Sequence, residues 1–161
     1  MSEAGVMGQI ARPGRYFTWA ELVASATARR KGIPNQPGPT EQLALLALTR
    51  AVLDPFREEL GRAVYVRSGY RSLELNGALG GSRGSQHVRG EAADITVPTL
   101  DAVQTCRALV AYQLPFDQLI AYAPERGGHV HVSYTTRRGN RRQILWAPAS
   151  GGFVPWRRWG E

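Results

Sequence analysis

The sequence is poor in cysteine, lysine and histidine, and it contains no long apolar run. Its single cysteine, Cys106, excludes an internal disulfide framework and any metal site built from a cysteine cluster. Lys31 is the only lysine, so the formal net charge of +7 is carried almost entirely by arginine. The longest unbroken apolar run, Leu43 to Leu48, is far too short to span a bilayer. These absences predict a soluble protein with no transmembrane segment and no disulfides.

The residues that are present predict one compact domain. The chain has 161 residues, of which 43% are hydrophobic and 20% are charged, an ordinary balance for a globular protein. We expect a single domain over residues 1–161, with a flexible arm over 1–16 and a basic aromatic tail over 148–161. The sequence pI near 10.3 favours anionic partners without choosing among nucleic acid, acidic polysaccharide and a membrane surface.

The N-terminal region superficially resembles a secretory signal, because arginines precede a partly apolar stretch. Glu21 interrupts that stretch, and Arg29, Arg30 and Lys31 follow at once. Thr18 and Glu21 instead have the spacing of a capping box at the start of an amphipathic helix. We therefore expect no signal peptide.

Predicted helices come mostly before the predicted strands, which indicates the α+β class. After the helix that begins at Thr18, a long helix is expected from about Thr40 to Leu60, with a kink or new start at Pro55. Shorter helices are expected after the capping residues Ser72 and Thr99. The strands are expected at Ala63–Val66, Ala92–Val97, Phe116–Tyr122, His129–Tyr134 and Gln143–Trp146, the last three within an antiparallel sheet.

The three histidines of the chain are His87, His129 and His131, and the last two fall in one predicted strand. Strand alternation puts them on the same face, about 7 Å apart along the strand. One imidazole could then bind a metal while the other faces whatever the metal binds. A strand face that carries two uninvolved histidines explains the pair alone equally well.

Asp94 lies in the strand that follows the loop of His87, and the opposite face of that strand is wholly apolar. A carboxylate at the edge of a core needs a partner, for which a cation is suitable, and the small Ala92 beside it leaves room. His87, Asp94 and His131 form a set of two histidines and one carboxylate that suits zinc with an open fourth position. The alternative is a salt-bridged Asp94 and an uninvolved loop histidine.

Ser85-x-His87-x-x-Gly90-x-Ala92-x-Asp94, followed by His129-x-His131, resembles the motifs of a known family. The family is that of the zinc D-alanyl-D-alanine carboxypeptidases and their peptidoglycan-endopeptidase relatives. Its metal site is similar to those of lysostaphin-type peptidases and the hedgehog signalling domain. The resemblance runs from about Phe17 to Ala147 and extends to the segments Ser68-Gly69-Tyr70-Arg71-Ser72 with Asn76, and Phe116-Asp117-Gln118-Leu119-Ile120.

The resemblance implies one zinc ion per chain, held by His87, Asp94 and His131. It also implies that Arg71 holds a substrate carboxylate or polarises the scissile carbonyl, the alternative being an arginine paired with a core carboxylate. Ser85 would donate a hydrogen bond to substrate, unless it is only a turn hydroxyl. His129 would stabilise the oxyanion that forms when water attacks the amide.

The chain departs from the family at one position. Several relatives have a carboxylate three residues before the last zinc-binding histidine, where it handles proton transfer, and this chain has Gly128 there. His129 is the best substitute as general base, and Glu125 and Asp117 are weaker candidates. Reduced or absent catalysis is the other interpretation.

Two arginine clusters remain outside this site. Arg137, Arg138, Arg141 and Arg142 are expected in a basic hairpin between two strands, and Trp156, Arg157, Arg158 and Trp159 in the tail. Such clusters can bind nucleic acid, but no recognisable nucleic-acid module accompanies them. We expect a solvated basic face that adheres to an anionic cell wall.

The expected function is hydrolysis of an amide bond in the stem peptide or cross-link of peptidoglycan by a monomeric zinc metallopeptidase. The bond could be that of a D-Ala-D-Ala carboxypeptidase, a cross-link endopeptidase or an L-alanyl-D-glutamate endopeptidase. Compact size and the lack of a signal peptide suggest a phage or prophage endolysin, made in the cytoplasm and active on the wall once the membrane is breached. The rival is a non-catalytic, zinc-stabilised wall-binding or virion-structural domain.

Overall fold

The computed structural model describes residues 5–156. Strands of this region form one sheet in the order β1-β2-β4-β3-β5-β6. Their bounds are β1 Tyr65–Ser68, β2 Ala92–Thr96, β3 Gln118–Tyr122, β4 Val130–Ser133, β5 Gln143–Ala147 and β6 Val154–Pro155. All neighbours pair antiparallel except β3 and β5, which are parallel. The expected α+β class is confirmed, and the sheet is mostly rather than wholly antiparallel.

The helices come mainly from the N-terminal half. They are α1 Trp19–Val23, α2 Ala26–Lys31, α3 Pro39–Leu48, α4 Asp54–Leu60, α5 Leu73–Ala78 and α6 Ala102–Ala111, with a short 3₁₀ turn at Pro124–Arg126. No helix in the described part of the chain is long and apolar enough to cross a membrane.

Polar side chains decide where several helices begin. The capping box of Thr18 and Glu21 is present as expected, and Ser72 accepts a hydrogen bond from the Leu75 amide. The prediction that Thr99 caps α6 is wrong. Asp101, two residues after Thr99, caps this helix and forms a capping box with Gln104. Ser25 caps a second short helix, so the first amphipathic stretch is broken into α1 and α2.

The long helix expected from Thr40 to Leu60 is continuous but widened in its middle. Residues Thr49–Leu53 are π-helical, and the Asp54 amide donates to the Thr49 carbonyl five residues before it. Pro55 follows directly, and proline lacks an amide donor and clashes with the carbonyl four residues earlier. A π turn just before it relieves that clash without ending the helix.

One face of the sheet packs on the helices to form the core. Ala93, Ile95, Leu119, Val130 and Val132 are all fully buried in the cluster that includes the helix side chains. Because side chains alternate along a strand, the residues between them point to the opposite face. That second face carries Asp94 and His131, and it is where the polar residues of the sheet are concentrated.

The segment from β4 to β5 is not the expected basic hairpin, because β3 lies between these two strands in the sheet. Its arginines are held by partners. Arg137 contacts the buried Glu91, and Arg138 and Arg141 both contact the buried Asp117. Arg142 donates to the Leu114 carbonyl and its guanidinium lies 4.7 Å from the centroid of the Phe116 ring. Buried carboxylates draw these cations against the domain, since an unpaired buried charge is costly.

The two ends of the described region lie against the rest of the domain. Residues 5–16, expected as part of a flexible arm, include the buried Val6, and the Met7 amide donates to Gln42. At the other end β6 extends the sheet from β5. Arg157, Arg158 and Trp159 of the expected basic aromatic tail lie outside the described residues.

The fold predicts that Asp117→Asn is destabilising in a pH-dependent way. Burial alone would raise the pKa of Asp117, but hydrogen bonds from Arg138 and Arg141 hold it well below its ordinary value. This stabilisation is full above the unfolded-state pKa of about 3.9 and is lost as pH falls through the lower native pKa. We expect the variant to lose roughly 2–3 kcal/mol of unfolding free energy at pH 7.

Urea unfolding between pH 3 and 7, with a chelator present to remove metal binding from the measurement, checks this expectation. The difference from wild type should shrink on acidification below about pH 4. Glu59→Gln, which alters an exposed carboxylate, is the control and should change stability by less than about 0.5 kcal/mol. An equal loss in both variants would contradict a special role for Asp117.

Candidate metal centre

Three polar residues meet on the face of the sheet that points away from the helices. Asp94 in β2 is directly opposite His131 in β4, because the two antiparallel strands pair in that register. His87 comes from the loop between α5 and β2, whose chain is held by a hydrogen bond from the Arg71 amide to the His87 carbonyl. All three side chains are buried, and together they form a group that could hold a metal ion.

The distances among these three residues fit a metal ion. His87 Nε2 lies 3.2 Å from Asp94 Oδ1, His131 Nδ1 lies 3.5 Å from the same oxygen, and the two nitrogens are 3.3 Å apart. Ligand atoms about 2.0–2.1 Å from a tetrahedral zinc ion are separated by about 3.3–3.4 Å, which is the edge of the tetrahedron. The three atoms are therefore spaced as one triangular face of such a site, and all three residues line the cleft.

The ring of His87 is oriented by a backbone carbonyl. Its Nδ1 lies 2.8 Å from the Gly69 oxygen. A carbonyl can only accept, so the proton of neutral His87 is on Nδ1 and the lone pair of Nε2 faces Asp94. Metal-binding histidines commonly have such a partner on the other ring nitrogen.

The charge of the cluster also suits a dication. Burial alone would raise the pKa of Asp94, but attraction to the His87 and His131 rings as cations and hydrogen-bond donors holds that pKa well below the ordinary value, a role that a metal ion among the three groups would take over. Burial lowers the pKa of His131, which favours the neutral imidazole that metals bind. An ionised carboxylate beside neutral imidazoles is a donor set typical of zinc.

Arg71 contacts the same carboxylate from the β1 side. Its Nη2 donates to Asp94 Oδ2 at 3.0 Å, and its Nε donates to the Ser68 hydroxyl at 2.9 Å. Within residues 5–156, Nη1 has no hydrogen-bond partner, and the side chain lines the cleft. Arg71 thus orients Asp94 and still presents a donor to a ligand.

His129 lies beside the triangle and is not part of it. Its Nε2 is 3.9 Å from Asp94 Oδ2, and burial lowers the pKa of its imidazole. Its ring stacks on Tyr122 with the centroids 4.4 Å apart. Sequence reasoning did not single out Tyr122, although it alternates with Ile120, which pairs with His131, and so falls on the same face of the sheet.

Ser85 and Gln86 come from the same loop as His87. Ser85 lines the cleft, and its hydroxyl accepts a hydrogen bond from the His87 amide at 3.3 Å. Gln86, which the sequence reasoning passed over, contacts His131 Nε2 through its side-chain oxygen at 3.1 Å. The only signal for Gln86 was its place between two motif residues.

The structure separates the candidate bases. Asp117 is fully buried and contacts Arg138 and Arg141, so its carboxylate is already occupied. Glu125 is exposed in the 3₁₀ turn and does not line the cleft. Gly128 has a φ of +63°, and a Cβ built there would lie 3.6 Å from the Pro124 Cα. Of the candidates named from sequence, His129 is the one that lines the cleft with the metal triangle.

The triangle forms the floor of an open cleft of about 690 Å³. Gly80, Gly81 and Gly84 of the loop after α5 line it, and Tyr122 and Phe153 contribute aromatic rings. Arg71 and Arg141 bring positive charge to the same space. A cleft of this size next to an open coordination position can accommodate an extended peptide segment.

A family model described as Peptidase M15 matches residues 15–133, well over half of the 161 residues. The chain belongs to the Peptidase M15 family. Peptidases of this family are metal-dependent, so its activity is that of a metallopeptidase. The match contains every residue of the triangle together with Arg71, Ser85 and His129. A comparison with curated proteins finds no match.

The geometry of this M15 site predicts that the metal is lost when Asp94 is changed. Asp94→Asn removes the negative charge and one oxygen donor of the triangle, and we expect the variant to bind zinc at least about 100-fold more weakly than wild type. Competition with a chromophoric chelator measures this. His129→Ala is the matched control, because it removes a neighbouring histidine outside the triangle and should retain one zinc per chain. Equal loss in both variants would place His129 among the ligands.

Proposed function

We propose that this M15 metallopeptidase uses one zinc ion, held by His87, Asp94 and His131, to hydrolyse an amide bond in the stem peptide or cross-link of peptidoglycan. The observation that carries the proposal is the triangle of two imidazole nitrogens and one carboxylate oxygen on the floor of an open cleft. Zinc is favoured among metals because this mixed nitrogen and oxygen donor set, with one open position, is typical of catalytic zinc sites.

Bound zinc would activate a water molecule and polarise the scissile carbonyl. The remaining chemistry falls to residues of the chain. His129, whose pKa is lowered by burial, would accept a proton from the attacking water and return it to the leaving amine. Its protonated ring would then lie beside Asp94, 3.9 Å away, and that carboxylate would stabilise the positive charge.

Arg71 and Ser85 would orient the substrate. The Nη1 donor of Arg71 is available to a substrate carboxylate or to the carbonyl oxygen as it gains negative charge. The Ser85 hydroxyl, which lines the cleft, would donate a hydrogen bond to a carbonyl oxygen of the bound peptide. Stem peptides carry carboxylates near each of the three candidate bonds, so a cationic cleft suits all of them.

A second function is supported by Gly128. The position where relatives carry a proton-transferring carboxylate has a left-handed backbone here, and a side chain would start toward Pro124. A domain that retains zinc but binds peptidoglycan without cleaving it would need no base at that position. Zinc would then serve only to stabilise the fold.

Digestion of purified peptidoglycan sacculi separates the two functions. We expect new peptide termini by mass spectrometry, their disappearance with chelator, and their return when zinc is restored. The mass of the released fragments identifies the bond. Unchanged muropeptides from several wall types, with stoichiometric zinc bound, would instead establish the non-catalytic domain.

The role of His129 predicts a separation between metal binding and turnover. His129→Ala should keep one zinc per chain and lose about 10²–10⁴-fold in the rate of cleavage, the usual contribution of a general base. Glu125→Gln is the control in the neighbouring turn and should cleave at the wild-type rate. The opposite pattern, with activity lost only in Glu125→Gln, would make Glu125 the base.

A further inference from the structure

We propose that Gln86 and Asp117 are positioning residues for the metal site, which fix the tautomer of His131 so that its Nδ1 lone pair faces Asp94 and His87. The hydrogen bonds run from two arginines through Asp117 and Gln86 to His131. The inference deepens the proposed function, since it rests on the metal site, but it does not require that the protein cleave any substrate.

The direction of these hydrogen bonds is set at Asp117. Its carboxylate is fully buried and accepts hydrogen bonds from Arg138 Nη1 at 2.6 Å, Arg141 Nη2 at 2.7 Å and the Arg141 amide at 2.9 Å. Two guanidinium groups at this distance keep the carboxylate ionised. An ionised carboxylate has no proton to donate, so every neighbour must donate to it.

Gln86 is oriented by this carboxylate. Its Nε2 lies 2.9 Å from Asp117 Oδ2, and only the amide NH₂ group can donate there. The other end of the same amide, the oxygen Oε1, is thereby turned toward His131. A flipped amide would place its oxygen against the carboxylate and its NH₂ group against the ring, losing the bond to Asp117.

Gln86 in turn orients the ring of His131, because Gln86 Oε1 lies 3.1 Å from His131 Nε2. Because that oxygen can only accept, the proton of the neutral ring is on Nε2. The lone pair is then on Nδ1, the atom 3.5 Å from Asp94 Oδ1 and 3.3 Å from His87 Nε2. The other tautomer would aim an N–H at the position of the metal, and the ring could not bind it.

The two metal-binding histidines therefore differ in what holds them. His87 donates to the backbone oxygen of Gly69, which no substitution of a side chain removes. His131 depends on the side chains of two loops, residues 79–91 and 134–142, which meet at Asp117. The arginines of the second loop thus act on the metal site through Asp117 and Gln86, although neither contacts a ligand atom.

Two variants of Gln86 test the proposal in the full-length protein. Gln86→Leu keeps the bulk but removes both polar groups, and Gln86→Asn keeps the amide but is too short to contact both neighbours. Gln118→Met is the matched control, because Gln118 lines the same cleft and donates to Gln143 but contacts no ligand of the metal. Thermal unfolding of the zinc-free proteins establishes which variants are folded.

Two readouts are made without substrate. The first is the zinc Kd from chelator competition, which we expect to rise about 10–100-fold in both Gln86 variants and to stay unchanged in Gln118→Met. The second is long-range ¹H–¹⁵N NMR of the zinc-free protein at pH 8, where three histidines give three imidazole patterns. We expect wild-type His131 to carry its proton on Nε2 and the Gln86 variants to show both tautomers.

The results that would contradict the positioning role of Gln86 differ from the results that would contradict the proposed peptidase activity. An unchanged Kd and an unchanged His131 tautomer in a folded Gln86 variant would overturn the inference, whatever the protein cleaves. If the wild type bound no zinc, the NMR measurement would still decide whether Gln86 selects the tautomer. Equal weakening in Gln118→Met would show a general effect of altering the cleft, and the proposal would be wrong.

Discussion

The register between β2 and β4 is the constraint on which the rest of the site depends. It places Asp94 directly opposite His131, and a shift of one residue would turn Asp94 into the core and an apolar neighbour into the cleft. The register is held from the other face, where Ala93, Ile95, Val130 and Val132 are fully buried against the helices. The hydrophobic packing that stabilises the fold therefore also sets the spacing of the atoms that could hold a metal ion.

Buried charge is the second organising feature of the domain. Asp94, Asp117 and Glu91 are all buried, and each contacts arginine. Leaving such a carboxylate unpaired would cost several kcal/mol, so the ion pairs of Glu91 and Asp117 tie the loop after β4 to the residues directly before β2 and β3. Arg137, Arg138 and Arg141 of the expected basic segment are thus held by buried carboxylates, although their side chains stay 40–49% exposed.

Much of the fold and the site could be predicted from local patterns. Alternation in Ala92–Val97 and in His129–Tyr134 identified which residues share a face, and the capping box at Thr18 located the first helix. The errors came where local signals compete. Thr99 and Asp101 are both good caps, and Asp101 prevails because Gln104 three residues later completes a capping box, whereas Ala102 follows Thr99 at that spacing. β4 and β5 follow one another along the chain as the strands of a hairpin do, but β3 occupies the place beside β4, which no local pattern records.

The amino-acid sequence by itself determined which donor types are at hand for a metal site: a single cysteine, three histidines, and the two carboxylates Glu91 and Asp94 within the motif segment leave few ways to bind a metal. The tertiary structure decided the rest. It placed His129 beside the metal triangle rather than in it, turned Gly128 toward Pro124, and brought Gln86 and Asp117 into contact across 31 positions of the chain. Distances of about 3 Å between side chains remote in sequence depend on how sheet and loops pack, and hydrogen-bond direction depends on which neighbour can donate.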